Sequence, residues 1–80
     1  MTRPLRIEYE GAWYHAMNRG RAREVIFPDD VAYAAFLTTL AEAVARFRIE
    51  VHAYCLMPNH YHLLIRTPHA NLSRAMRQID

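Results

Sequence analysis

The sequence predicts an α+β fold: an incomplete ferredoxin-like split β-α-β unit, with an antiparallel sheet carrying its helices on one face. Three observations predict it. A single apolar stripe of helical period occupies residues 33–47. Two runs of strict alternation, 48–57 and 60–67, flank a Pro58-Asn59 turn. An aromatic-rich run at 12–18 precedes all of these. The order is strand, helix, strand, strand, helix, which lacks only the strand that follows the second helix in a complete unit.

Each element has its own reason. Residues 1–10 are charged, contain Pro4 and keep no period, so they read as an arm, with the sheet and helix core at 11–80. The run at 12–18 closes on Arg19-Gly20, a strand ending in a turn, and Arg19, Arg21 and Arg23 then fall in a loop. Pro28-Asp29-Asp30 opens the helix, because an aspartate caps exposed amides and suits the positive end of the dipole. Tyr33, Phe36, Leu37, Leu40, Val44 and Phe47 form its core stripe. In the next strand, alternation places Ile49, Val51, Ala53 and Cys55 on one face and Arg48, Glu50, His52 and Tyr54 on the other. Across the turn, Tyr61, Leu63 and Ile65 share one face; His60, His62, Leu64 and Arg66 share the opposite one. Pro68 ends the run. Asn71 or Ser73 caps a second helix whose stripe is Leu72, Met76 and Ile79.

Eighty residues make one domain. Such a chain buries only about 60–65% of its unfolded surface. Cys55 is the only cysteine, which excludes an intrachain disulfide and a cysteine-rich zinc module. A hydrophobic share of 52% with 22% charged residues excludes a disordered polar chain. No apolar run is long enough to span a bilayer, and the polar start is no signal peptide, so the expectation is a cytoplasmic chain with no membrane partner. Net charge is +2, and all ten basic residues are arginine. Arginine forks suit phosphates and base edges, while a GC-rich genome produces the same bias without any such role.

His60-Tyr61-His62 carries the sharpest chemistry. Residues i and i+2 of a strand share a face, so both imidazoles can converge on one divalent ion while Tyr61 points into the core. His52 and His15 fall on the same open face. Imidazole donors suit Mn²⁺, Co²⁺, Zn²⁺ or Ni²⁺ better than Mg²⁺. Two ligands are too few for a closed site; a third is needed, and open positions for water or phosphate would make the site catalytic rather than structural. The plainer reading is two surface histidines on a solvated sheet.

Several stretches resemble a known family. These are residues 3–8 (Arg-Pro-Leu-Arg-Ile-Glu), Trp13-Tyr14-His15, Asn18-Arg19-Gly20, Ile26-Phe27, and above all 51–64, with its Met-Pro-Asn-His-Tyr-His core. They are similar to the REP-associated tyrosine transposases, members of the HUH single-strand DNA transposases of insertion-sequence-200-like type, and residues 72–78 resemble the family's next helix. The resemblance implies the N-terminal portion of one HUH transposase domain. It implies an enzyme that cuts and rejoins single-stranded DNA beside hairpins through a 5′-phosphotyrosine link, with Mg²⁺ or Mn²⁺ as cofactor. His60 and His62 match the two metal ligands. The family's nucleophilic tyrosine lies on a later helix in a Tyr-x-x-x-Asn-Pro context, downstream of Asp80, with a third ligand nearby. The expectation is that residues 1–80 alone are inactive.

Among the tyrosines, Tyr61 faces the core, Tyr33 lies on the helix stripe, Tyr9 is in the arm, Tyr14 is a strand position, and Tyr54 can face the site. Candidate DNA contacts are Arg3 and Arg6 in the arm, Arg19, Arg21 and Arg23 in the loop, and Arg74 and Arg77 on the second helix, with Trp13 and Tyr54 as base-stacking rings. Two alternatives remain beside the transposase: a non-catalytic remnant that holds single-stranded or hairpin DNA, and a fragment stabilised by homodimer formation through an open sheet edge.

Overall fold

The computed structural model describes residues 7–79. Its elements are β1 (Ala12–Arg19), a 3-10 turn (Arg21–Arg23), α1 (Asp30–Phe47), β2 (Glu50–Met57), β3 (His60–Thr67) and α2 (Leu72–Ile79). The three strands form one antiparallel sheet in the order β1-β3-β2, as the split β-α-β reading expects. Its central strand β3 is the hydrophobic spine: Tyr61, Leu63, Ile65 and Thr67 are all buried toward the helices. Leu40 and Ala43 of α1 and Leu72, Ala75, Met76 and Ile79 of α2 close the core over them. Each fully buried aliphatic side chain here contributes about 1.5–3 kcal/mol relative to exposure.

Local chemistry sets the helix ends. Asp29 is the N-cap of α1, its Oδ1 accepting from the Ala32 amide at 2.9 Å. At the other end Arg48 adopts a left-handed conformation, φ 55°, and the freed carbonyl of Phe47 accepts from Asn71 Nδ2 at 2.7 Å. Asn71 therefore closes α1 rather than capping α2 with its side chain. The α2 amide of Ser73 is met instead by Glu8 Oε1 at 2.6 Å. Neither Asn71 nor Ser73 supplies the expected side-chain cap, because a carboxylate from the preceding arm occupies that place.

The second correction concerns β2. Its register on β3 shifts between Val51 and Ala53, leaving His52 as an extra residue. One inserted residue inverts the alternation beyond it. Ala53, Cys55 and Met57 thus pair with Leu64, His62 and His60 on the open face, and Tyr54 pairs with Leu63 on the helix side. Strict period-2 reading had placed Ala53 and Cys55 with the core and Tyr54 with the histidines. Tyr54 is nonetheless 56% exposed, at an uncovered margin of the helix layer.

Candidate nucleic-acid and metal site

The site is built where β1, β3 and the loop after β1 meet. The turn between β2 and β3 anchors that loop. The Pro58 carbonyl accepts from the amides of Ile26 and Phe27 at 2.8 and 3.0 Å, and the Asn59 carbonyl accepts from Gly20 at 2.8 Å. Gly20 has ordinary extended angles, φ −64° and ψ 143°, yet a Cβ there would sit 2.0 Å from the Glu24 carbonyl oxygen. Only glycine lets the chain double back so closely. The Asn18-Arg19-Gly20 and Met57-Pro58-Asn59-His60 stretches are thereby held together, although about forty residues separate them in sequence.

On the open sheet face, antiparallel pairing brings Met17 opposite His62 and Arg19 opposite His60, with His15 two register positions beyond Met17. The His60 and His62 rings lie 5.1 Å apart, nearly perpendicular at 86°. His60 Nδ1 contacts Asn59 Oδ1 at 2.8 Å, and His62 Nδ1 contacts His15 Nε2 at 2.9 Å. Both contacts engage Nδ1 and leave Nε2 outside them. Two imidazoles on one ion at about 2.1 Å in tetrahedral array would have ring centres about 5 Å apart, the separation of this pair. No group of three or more His, Cys, Asp or Glu side chains among the described residues forms a metal cage. Burial within the cluster, then the neighbouring His15, His60 and Arg19, hold the pKa of His62 below the ordinary imidazole value of 6.5.

Beside His60 lies a cleft of about 300 Å³ lined by Arg19, Gly20, Arg23, Asn59 and His60. Two guanidinium groups next to the His60 imidazole form a basic recess suited to phosphate oxygens. Arg21, in the same 3-10 turn, does not line it. The positive φ of Ala22 (50°) and Arg23 (63°) turns the chain within this short segment. At the other end of the same face, Trp13 is 52% exposed and its ring lies 4.4 Å from His52. His52 bonds Glu50 at 2.8 Å, and Arg66 reaches the other carboxylate oxygen at 3.2 Å. His52 is therefore on the histidine face, as expected, but tied into an ion-pair network.

The arginines singled out from sequence separate into groups. Arg19 and Arg23 join the histidine pair; Arg3 and Arg6 lie outside the described residues. Arg74 and Arg77 line a groove on the helix layer with Arg46, Phe47 and Gln78. There Arg46 Nη1 donates to Gln78 Oε1 at 2.8 Å, and the guanidiniums of Arg46 and Arg74 lie 5.1 and 5.9 Å from the Phe47 ring centre. Arg46 and Phe47 carry no motif that marks them in the sequence, and helical period places Phe47 on the core stripe. Asn59 reads in the sequence only as a turn residue, though its place directly before His60 is the available signal.

None of the tyrosines of the three strands or of α1 lies on the histidine face. Tyr61 is buried under α1, packed 4.8 Å from Phe36. Tyr33 stacks on Phe27 at 4.8 Å, Tyr14 donates its hydroxyl to the Ile7 carbonyl at 2.8 Å, and Tyr9 is exposed in the arm. Tyr54, which sequence alternation allowed at the site, is on the opposite side for the reason given by the bulge.

Comparison with known proteins bears on the fold and the family. No curated protein sequence matches the chain. A solved structure described as a REP-associated tyrosine transposase bound to a REP hairpin superposes with a TM-score of 0.84 at 18% identity. That match covers 99% of this chain and 48% of the other, so the chain spans about half the length of that transposase. It establishes the shared fold. The profile of the family described as "Transposase IS200 like" matches residues 8–80, and the chain belongs to that family.

Proposed function

We propose that this chain forms the metal- and DNA-holding part of a transposase that cuts and rejoins single-stranded DNA through a phosphotyrosine intermediate. The observation that carries the reading is the His60/His62 pair, its Nε2 atoms left outside the Nδ1 hydrogen bonds, with His60 lining the Arg19/Arg23 cleft. A divalent ion held by His60 and His62, Mg²⁺ or Mn²⁺, would polarise the scissile phosphate. Arg19 and Arg23 hold non-bridging oxygens of the adjoining phosphates and fix the strand for in-line attack. Trp13 offers an exposed ring at the far end of the same face for an unpaired base.

The phenolate oxygen of a tyrosine outside the described residues bonds to phosphorus. The P–O3′ bond breaks, and O3′ takes up a proton to leave as the 3′-hydroxyl, matching the proton that the phenol loses on becoming phenolate. Reversal with a second 3′-hydroxyl rejoins the strands. The solved neighbour is bound to a REP hairpin, which supports a hairpin with single-stranded flanks as the partner here. Homodimer formation is supported only by the outer strands β1 and β2, each pairing on one side among the described residues. Sedimentation would read it.

Two measurements test the proposal. Isothermal titration with Mn²⁺ should show one-to-one binding that His62→Ala abolishes; equal affinity in both refutes the ion site. A labelled hairpin-flanked strand incubated with residues 1–80 and Mn²⁺ should bind without forming a covalent adduct, and a longer chain carrying a further tyrosine should form one there. A non-catalytic DNA holder is the second reading, favoured by the absence of a strand tyrosine from the histidine face among the described residues. A longer chain that binds the hairpin yet forms no adduct would select it.

A further inference from the structure

We infer that His15 is a positioning residue for the His60/His62 ion site, accepting the Nδ1–H of His62 at its own Nε2 and so presenting His62 Nε2 as a lone pair. The inference rests on the proposed ion site and adds to it a residue from a different strand. The Nε2···Nδ1 separation is 2.9 Å, the ring planes differ by 11°, and the ring centres lie 5.1 Å apart. At that hydrogen-bond length, nearly coplanar rings with centres 5.1 Å apart meet edge to edge. This is a directed hydrogen bond more than a stacking contact.

Such a bond between two neutral imidazoles has two senses. With the proton on His15 Nε2, His62 must carry its own proton on Nε2 and cannot ligate through it. With the proton on His62 Nδ1, Nε2 of His62 is free to bind. Only the second sense is compatible with the ion site. His60 has the equivalent arrangement, its Nδ1 facing Asn59 Oδ1, an atom that can only accept. The two ligands are thus served alike: one from the adjacent turn residue, the other across the sheet from β1. The diagonal placement of His15, opposite Leu64 and two register positions from the Met17–His62 pair, is what lets its ring reach His62 edge-on. A ligand so held has its ring rotation fixed and its basicity raised, and losing such a partner typically weakens metal binding 10–100-fold.

The test compares Mn²⁺ affinity at pH 8 for the wild type, His15→Phe, His15→Gln and His62→Ala, with far-ultraviolet circular dichroism to confirm folding. Phenylalanine fills the space without an acceptor, whereas the glutamine Oε1 restores one. His15→Phe should weaken binding about 10–100-fold, and His15→Gln should recover most of the loss. Long-range ¹⁵N–¹H spectra of the metal-free protein should show His62 protonated at Nδ1 in the wild type and at Nε2 in His15→Phe. Wild-type binding that His15→Phe leaves unchanged, or His62 protonated at Nε2 in the wild type, overturns the role of His15 while leaving the ion site standing. A wild type that binds no Mn²⁺ removes the ion site, and this role with it.

Discussion

Gly20→Ala is the sharpest single perturbation of the site's scaffold. The added Cβ would lie 2.0 Å from the Glu24 carbonyl oxygen, 2.9 Å from its carbon and 3.1 Å from Ile26 Cγ2. Non-bonded carbon and oxygen settle at about 3.3 Å or more, so the backbone must move by over about 1 Å. The obstacle is main chain, which cannot swing aside as a side-chain tip does. Overpacking strain of about 1–3 kcal/mol adds to about 0.5–1.5 kcal/mol for the Gly20–Asn59 hydrogen bond, giving roughly 2–4 kcal/mol. A domain of this size has only about 4–12 kcal/mol in all. The midpoint of thermal unfolding should therefore fall by about 10–25 °C, and urea denaturation should show the same loss. Gly11→Ala is the control: its φ of 78° costs about 1–2 kcal/mol, and the nearest obstacle is the mobile Arg66 Nη2 at 3.2 Å. Gly20→Ala within 0.5 kcal/mol of wild type, or milder than Gly11→Ala, would refute the steric argument.

Three further outcomes are expected. Replacing Arg19 and Arg23 by glutamine should flatten the salt dependence of single-strand binding by about 1.4 in log–log slope, two phosphates at about 0.7 each, whereas Arg21→Gln changes it little; the reverse order in a fluorescence titration would count against the cleft. His62 should titrate below 6.5 by NMR, and because the folded chain then binds fewer protons than the unfolded one, its contribution to stability is present above 6.5 and lost as pH falls through the folded value. Glu50 is held below its usual 4.5, first by the His52 hydrogen bond and then, against some desolvation, by the charges of Arg66 and His52. Its contribution is present above 4.5 and lost as pH falls through the folded value, so Glu50→Gln should flatten the acid limb of the stability curve.

Much of this was legible because periodicity is a local property. The α1 stripe, the Pro58-Asn59 hairpin turn and the shared face of His60 and His62 each follow from a few neighbouring residues. What failed needed information from another strand. The bulge at His52 is invisible in β2 alone, since alternation through 50–57 puts Val51, Ala53, Cys55 and Met57 on one unbroken apolar face, and only the register on β3 breaks it. The substitution of Glu8 for a local cap on α2 is likewise a contact across 65 residues. Likewise, the His15–His62 bond depends on the β1–β3 register, which no local pattern encodes.

The turn joins scaffold and site, and Asn59→Ala separates them. The scaffold uses the backbone of Pro58 and Asn59, whose carbonyls hold Gly20, Ile26 and Phe27. Alanine keeps those carbonyls. The site uses the side chain, where Oδ1 faces His60 Nδ1 at 2.8 Å, and alanine deletes it. Removing that partner leaves a part-buried ring nitrogen to find water, which costs about 1 kcal/mol of stability. The effect on an ion at His60 should be larger, about 10–100-fold in affinity, because the ring then rotates and changes tautomer freely. Gly20→Ala predicts the opposite balance, a large loss of stability from a residue with no side chain in the site. Measuring urea stability and Mn²⁺ affinity for both variants places them in different quadrants. If Asn59→Ala unfolds as readily as Gly20→Ala while keeping wild-type affinity, the division of labour between backbone and side chain in this turn is wrong.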